Sequence, residues 1–262
     1  MNPRDLPRLL RRTAALTAGG AALGGVILLA GEVVAVRTRR YARPTLELAA
    51  RASLGPASAQ PLRMTLLGDA TALGVGVDSA LESVGGQLAQ LLATSDRRVE
   101  LSSAAVAGSR CADLAPQVAR ALIGARPDVA VILVGAGDAT RLGRPTRAAG
   151  HLAEAVRRLR DAGVEVVVGT CPDLGALRAF APPLRQIFGW SGRRVGRAQA
   201  EAVRAAGSHL VDLAAETGTV FRADPGALCF DGFHPSADGY RVWAHALYPA
   251  VATAVQFRPR SR

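Results

Sequence analysis

The sequence predicts an α/β fold: a mainly parallel five-stranded sheet with helices on both faces, a three-layer α/β/α sandwich. Three observations predict it. Five short apolar runs, rich in Val, Leu and Ile and bounded by turn residues, read as buried parallel strands. Segments of helical period separate them, the alternation that a parallel sheet requires. The chain has 262 residues, 49% hydrophobic and 20% charged, enough for one sizeable core and short for two.

The elements follow in order from Leu62. "LRMTLLG" is the first strand, and "ALESVGGQLAQLLA" the first helix, with Leu81, Val84, Leu88, Leu91 and Leu92 on one face. "RVELSSAAV" is a second, weaker strand. "CADLAPQVARALIGA" is a helix with Pro116 in its first turns. "DVAVILVGAG" is the clearest strand of the chain, and it ends in glycines. "TRAAGHLAEAVRRLRDAG" is a helix closed by Gly163, "VEVVVGTC" a fourth strand, "RRVGRAQAEAVRAAG" a helix, and "SHLVDLA" a fifth strand. "SADGYRVWAHALYPAVATAV" is the last helix, with Ser236 as its amino-terminal cap.

The chain divides into a basic and apolar amino-terminal segment (1–36), a connector (37–61), the α/β domain (62–257) and a basic tail (258–262). The uncharged run from Thr13 to Gly31 spans about 28 Å as a helix, close to a bilayer's hydrocarbon thickness. A membrane anchor is the first reading, with Glu32 at an interface. A cleaved signal peptide and a soluble amphipathic helix are the alternatives. Four arginines flank the run on each side, so the side of the membrane is undetermined. The connector is rich in Pro, Ala and Ser and reads as a tether with a short helix around Thr45–Ala52.

All 32 basic residues are arginine, and the net charge is +11. Residues 1–51 contribute nine arginines against three acids, so charge is densest beside the apolar run. With 4% aromatic residues, base-stacking surfaces are scarce, which argues against nucleic acid and for lipid head groups. Cys111, Cys171 and Cys229 lack metal-ligand spacing and read as free thiols. No metal or organic cofactor is indicated. "GDATALGVG" fits neither common phosphate-binding motif, so its glycines are turn glycines. His151, His209 and His245 read as structural, whereas Phe188 and Trp190 line either a lipid-facing mouth or a lid contact.

In parallel α/β folds, sites form at the carboxyl ends of strands. The loops Gly68–Gly74, Val106–Arg110 and Gly135–Thr140 are therefore the ones to inspect, together with "FDGFHPS". In that last loop Asp231 precedes His234 by three residues, the acid and base half of a hydrolytic triad. These ordered blocks, "LLGDATALGVGVD", "AVAGSR", "ILVGAGDAT" and "FDGFHPSADGY", resemble those of the SGNH or GDSL-like hydrolase family over roughly Leu62 to Val255. "GTCPDLG" (Gly169–Gly175) resembles an actinobacterial subgroup of it.

The resemblance implies a flavodoxin-like sandwich and an ester or lipid acyl hydrolase acting on a small acyl-ester, lipid or glycan. It implies His234 as base, Asp231 as its orienting acid, and an oxyanion hole at Ala70, Gly108 and the third-block position Gly137. Two positions depart from the family pattern. Ala70 stands where the serine nucleophile belongs, and Gly137 where an asparagine amide belongs. The expectation is a degenerate hydrolase that retains a binding pocket. The competing readings are an active esterase using Thr71, Ser109 or a His234-activated water, and a membrane-associated scaffold.

Overall fold

The computed structural model describes residues 25, 28–45 and 51–256. Its sheet has six strands in the order β1-β3-β2-β4-β5-β6. These are β1 (Ala52–Leu54), β2 (Gln60–Gly68), β3 (Arg97–Ser103), β4 (Val129–Leu133), β5 (Glu165–Gly169) and β6 (His209–Val211). β2 to β6 are the five expected strands, all mutually parallel. β1 is an addition: it pairs antiparallel with β3, setting Ala52 against Leu101 and Leu54 against Val99.

Alternate residues of each central strand feed two apolar layers. Val129, Val131 and Leu133 of β4 face one layer, and Ala130 and Ile132 face the other. The first layer is closed by α3 (Val84–Leu92) and α9 (Ala237–Gln256), and the second by α4 (Leu114–Ala121) and α6 (Pro145–Asp161). α7 (Leu184–Ala205) spans the two, with Phe188 and Val195 in the first and Val203 in the second. α3 begins at Val84, so Leu81 lies ahead of it and is exposed rather than on its buried face. α8 (Leu213–Ala223) is a helix that the apolar pattern left unassigned. The cap on α9 is present, with Gly239 N–H donating to Ser236 Oγ at 3.2 Å.

From β2 the chain crosses first to β3 and then back past β2 to β4, so loops leave β2 and β4 in opposite directions. That reversal opens a crevice at their carboxyl ends. The backbone there is held unusually close. Gly68 has φ +131°, and a Cβ at that position would lie 1.7 Å from the carbonyl oxygen of Leu133. Gln117 of α4, itself buried, clasps the same residue: Gly68 N–H donates to Oε1 at 2.7 Å, and Nε2 donates to the Gly68 carbonyl at 2.9 Å.

Ahead of the domain, residues 28–38 form a helix, α1, whose Leu29, Val33 and Val36 pack against the first layer. Glu32, the acid at the end of the apolar run, has a partner in the domain. Glu32 Oε2 accepts the Leu184 N–H at the start of α7, at 3.2 Å, where the helix dipole favours an anion. The expected span Thr13–Gly31 lies mostly outside the described residues, as do positions 46–50 of the short helix expected around Thr45–Ala52; Ala52 itself is in β1. Among the described residues no helix is long and apolar enough to cross a membrane.

Gln117→Leu leaves the buried Gly68 N–H without its acceptor. It is expected to lower stability by about 2–4 kcal/mol in urea denaturation; an unchanged midpoint would show that the clasp carries no stability.

Candidate active site

Each expected site residue lies at the carboxyl end of the sheet. β2 ends at Gly68, and Asp69 then caps the one-turn helix α2 (Ala70–Leu73). Asp69 Oδ1 accepts both the Thr71 N–H at 2.9 Å and the Thr71 hydroxyl at 2.7 Å. Burial raises the Asp69 pKa, against the lowering effect of the Thr71 hydrogen bonds and of His234 nearby. Ala70 is the first residue of that turn and presents only a methyl group. The turn closes through Gly74 in the left-handed region, with Gly74 and Val75 N–H groups both donating to the Ala70 carbonyl.

The second loop follows β3. Gly108 has φ +81° and is exposed, and among the described residues nothing engages its N–H. Ser109 is buried, and its Oγ accepts from Gln117 Nε2 at 3.0 Å. The side chain that clasps Gly68 thus also fixes this loop. The third block forms α5 (Ala136–Thr140), which contains Gly137. A Cβ on Gly137 would lie 3.2 Å from the Ser109 carbonyl oxygen, 3.1 Å from Arg141 Nη1 and 3.3 Å from Arg110 Cγ. Arginine side chains therefore border the space where an asparagine would project. Asp138 is buried and accepts the Cys111 N–H at 2.9 Å, joining this turn to the second loop.

The last loop carries Asp231 and His234. His234 Nδ1 lies 2.7 Å from Asp231 Oδ2, and both side chains are almost fully buried. Asp231 Oδ1 accepts the N–H groups of Phe233 at 2.7 Å and His234 at 2.9 Å, and the Cys229 thiol at 3.1 Å. Burial acts to raise the Asp231 pKa, but hydrogen bonds from His234, Ala42 and Phe233 overcome it and hold the carboxyl well below its ordinary range. The Cys229 thiol, largely through burial, is pushed up to about 11. With the carboxylate on Nδ1, the proton sits there and Nε2 is left as the basic nitrogen. The loop is brought to the first block by Gly76, where a Cβ would lie 3.2 Å from His234 Cβ, and by the buried Tyr240, whose hydroxyl donates to the Val75 carbonyl at 2.6 Å.

The model matching this chain is that of the GDSL-like lipase/acylhydrolase family, over residues 66–242, more than half of the chain. The chain belongs to that family. It is 42% identical over 198 residues to the GDSL-like esterase Rv1075c of Mycobacterium tuberculosis, a match covering 74% of this chain and 63% of that protein. Among solved structures it resembles TesA, with a TM-score of 0.59 at 18% identity over 73% of this chain and 99% of the other. It also resembles a catalytic mutant of Axe2, an acetylxylan esterase from Geobacillus stearothermophilus in which alanine replaces a serine. There the TM-score is 0.54 at 22% identity, over 80% and 99% of the two chains. At these identities the two structures establish the GDSL-family fold.

Several groups that build the site carry no motif. Gln117 is a polar residue within an amphipathic helix, and its burial shows only in the packed fold. Ala42 takes part through its backbone, donating its N–H to Asp231 Oδ2 at 2.9 Å, and a backbone donor leaves no trace in residue type. The histidines outside the last loop stay apart from the site: His151 and His245 are exposed, and His209 opens β6. Of the two aromatics expected at a mouth or lid, Phe188 is buried beside Phe180, with ring centroids 4.8 Å apart, and Trp190 is half exposed under Arg194.

Because the Asp231 pKa is depressed in the folded chain, its contribution to stability is fully present above the ordinary value of 3.8 and is lost as pH falls below it. Asp231→Asn is expected to cost about 3 kcal/mol at pH 7. In urea denaturation across a pH series, that gap should close as the pH drops below 3.8. A gap independent of pH would place the effect elsewhere.

Proposed function

We propose that this chain is a non-hydrolytic member of the GDSL family, which binds an acylated ligand where its relatives cleave one. The acylated ligand is an acyl-ester, a lipid or an acylated glycan. One observation carries the reading: the turn that carries the nucleophile in the family ends here in the methyl of Ala70, beside an acid–base pair at 2.7 Å. No acyl-enzyme forms on a methyl group. Loss of a triad serine costs about 10⁶-fold in turnover, and loss of one oxyanion donor about 10²–10³-fold.

The neighbouring hydroxyls and thiol support this reading because each is already committed. The Thr71 hydroxyl donates to Asp69, and Ser109 is buried against Gln117. The Cys229 thiol donates to Asp231, and with its pKa near 11 it holds little thiolate at neutral pH. A second reading, attack on the ester carbonyl by a water that gives its proton to Nε2 of His234, draws on the intact Asp231–His234 pair. It lacks a side-chain amide at Gly137 to stabilise the charge that forms. The basic, apolar segment ahead of the domain supports a location at an anionic membrane surface.

The test is a repair. The wild-type chain is expected to hydrolyse p-nitrophenyl butyrate no faster than a His234→Ala control. Ala70→Ser should introduce measurable turnover, and Gly137→Asn on that background should add roughly 10²-fold as Arg141 swings aside. Wild-type turnover at ordinary esterase rates, abolished by His234→Ala, would refute the non-hydrolytic reading.

A further inference from the structure

The family match begins at Leu66, yet residues well ahead of it complete the site. Behind α1, the strap of residues 39–45 crosses the last loop. Ala42 donates to the Asp231 carboxylate, and the Arg39 guanidinium donates to the Asp231 carbonyl at 3.4 Å. Tyr41 packs edge-on against Phe233 with centroids 5.7 Å apart, and Phe233 packs edge-on against His234 at 4.9 Å. Above this layer lies a cavity of about 570 Å³. One wall is α1, through Leu29, Val33 and Val36, and the wall from the domain includes Phe180, Leu184 and Ile187. His234 also lines it.

We propose that α1 and the strap form one wall of a chamber for a single long acyl chain, with the carbonyl end of that chain at His234. This rests on the acyl-ligand reading above and names what fills the site. The volume falls within the range of about 300–1,000 Å³ usual for small-molecule pockets. The lining is aliphatic and aromatic almost throughout, with Thr140, Arg37 and the imidazole as its strongly polar members. An unbranched acyl chain matches that distribution: continuous apolar surface with one polar end. A sugar or a short acetyl group would leave most of the walls facing water. The wall is also continuous in sequence with the uncharged run Thr13–Gly31. Deleting α1 and the strap would at once open the chamber and remove a donor from Asp231.

The experiment uses the full chain in phosphatidylcholine–phosphatidylglycerol nanodiscs and a palmitoyl probe bearing a terminal diazirine. The probe is supplied either within a phospholipid of the disc or as the free acid from solution. After photolysis, peptides are mapped by mass spectrometry. Adducts should concentrate on residues 28–41 and 180–188. Val36→Trp or Ile187→Trp, which fill the chamber from opposite walls, should each cut them at least tenfold, whereas Ile123→Trp on an exposed surface should not. Either fill suffices if the other variant misfolds, and the wild-type map is decisive by itself. Labelling from the disc or from solution supports the chamber and identifies the source. Adducts absent from both walls in both arms would overturn it. Ester turnover with labelled walls would refute only the non-hydrolytic reading; unlabelled walls without turnover would refute only the chamber.

Discussion

The Asp231 carboxylate is the point on which the site depends. A buried anion is tolerated only where hydrogen bonds replace its hydration. Here those bonds come from three places: the loop's own backbone and thiol, the His234 ring, and the Ala42 N–H of the strap. One charged group therefore fixes the imidazole's orientation, shapes the last loop and anchors a segment that lies ahead of the family domain. All of these donors converge on the same two oxygens. The strap is thereby part of the site's electrostatics as well as its wall.

The opposite side of the crevice is held by neutral groups. Gln117 satisfies both polar groups of the Gly68 peptide and reaches Ser109, so the first and second loops move as one. Gly68 is necessary because the Leu133 carbonyl occupies the space a side chain would need. These contacts hold the first and second loops in fixed register at the crevice. What the turn lacks is an oxygen at Ala70, the observation on which the proposed non-hydrolytic reading rests.

Much of the architecture was legible in the sequence, for identifiable reasons. β4 and β5, with the second half of β2, are apolar runs buried on both faces, whereas β3 and β6 are only partly buried and show through their place in the strand–helix alternation. The acid–base loop was legible because Asp231, His234 and the helix cap Ser236 stand at short, fixed spacings. β1 was not, since three residues pairing on an edge carry no periodic signal. α8 was missed because Thr217 and Gly218 interrupt its buried face, although Leu213 and Phe221 mark it. The partner of Glu32 was not legible, since a lone acid beside an apolar run does not show the helix terminus whose N–H it accepts. The largest omission was Ala42, since a main-chain donor has no residue type to read.

The reading that no side chain beside His234 forms a bond to substrate is tested most directly by intact-mass spectrometry. The full chain would be incubated with an excess of p-nitrophenyl ethylphosphonate, an activated donor that any serine, threonine or cysteine nucleophile of this site would accept. The account predicts an unchanged mass. A single ethylphosphonyl adduct that maps to a residue lining the crevice, and that disappears in His234→Ala, would contradict it.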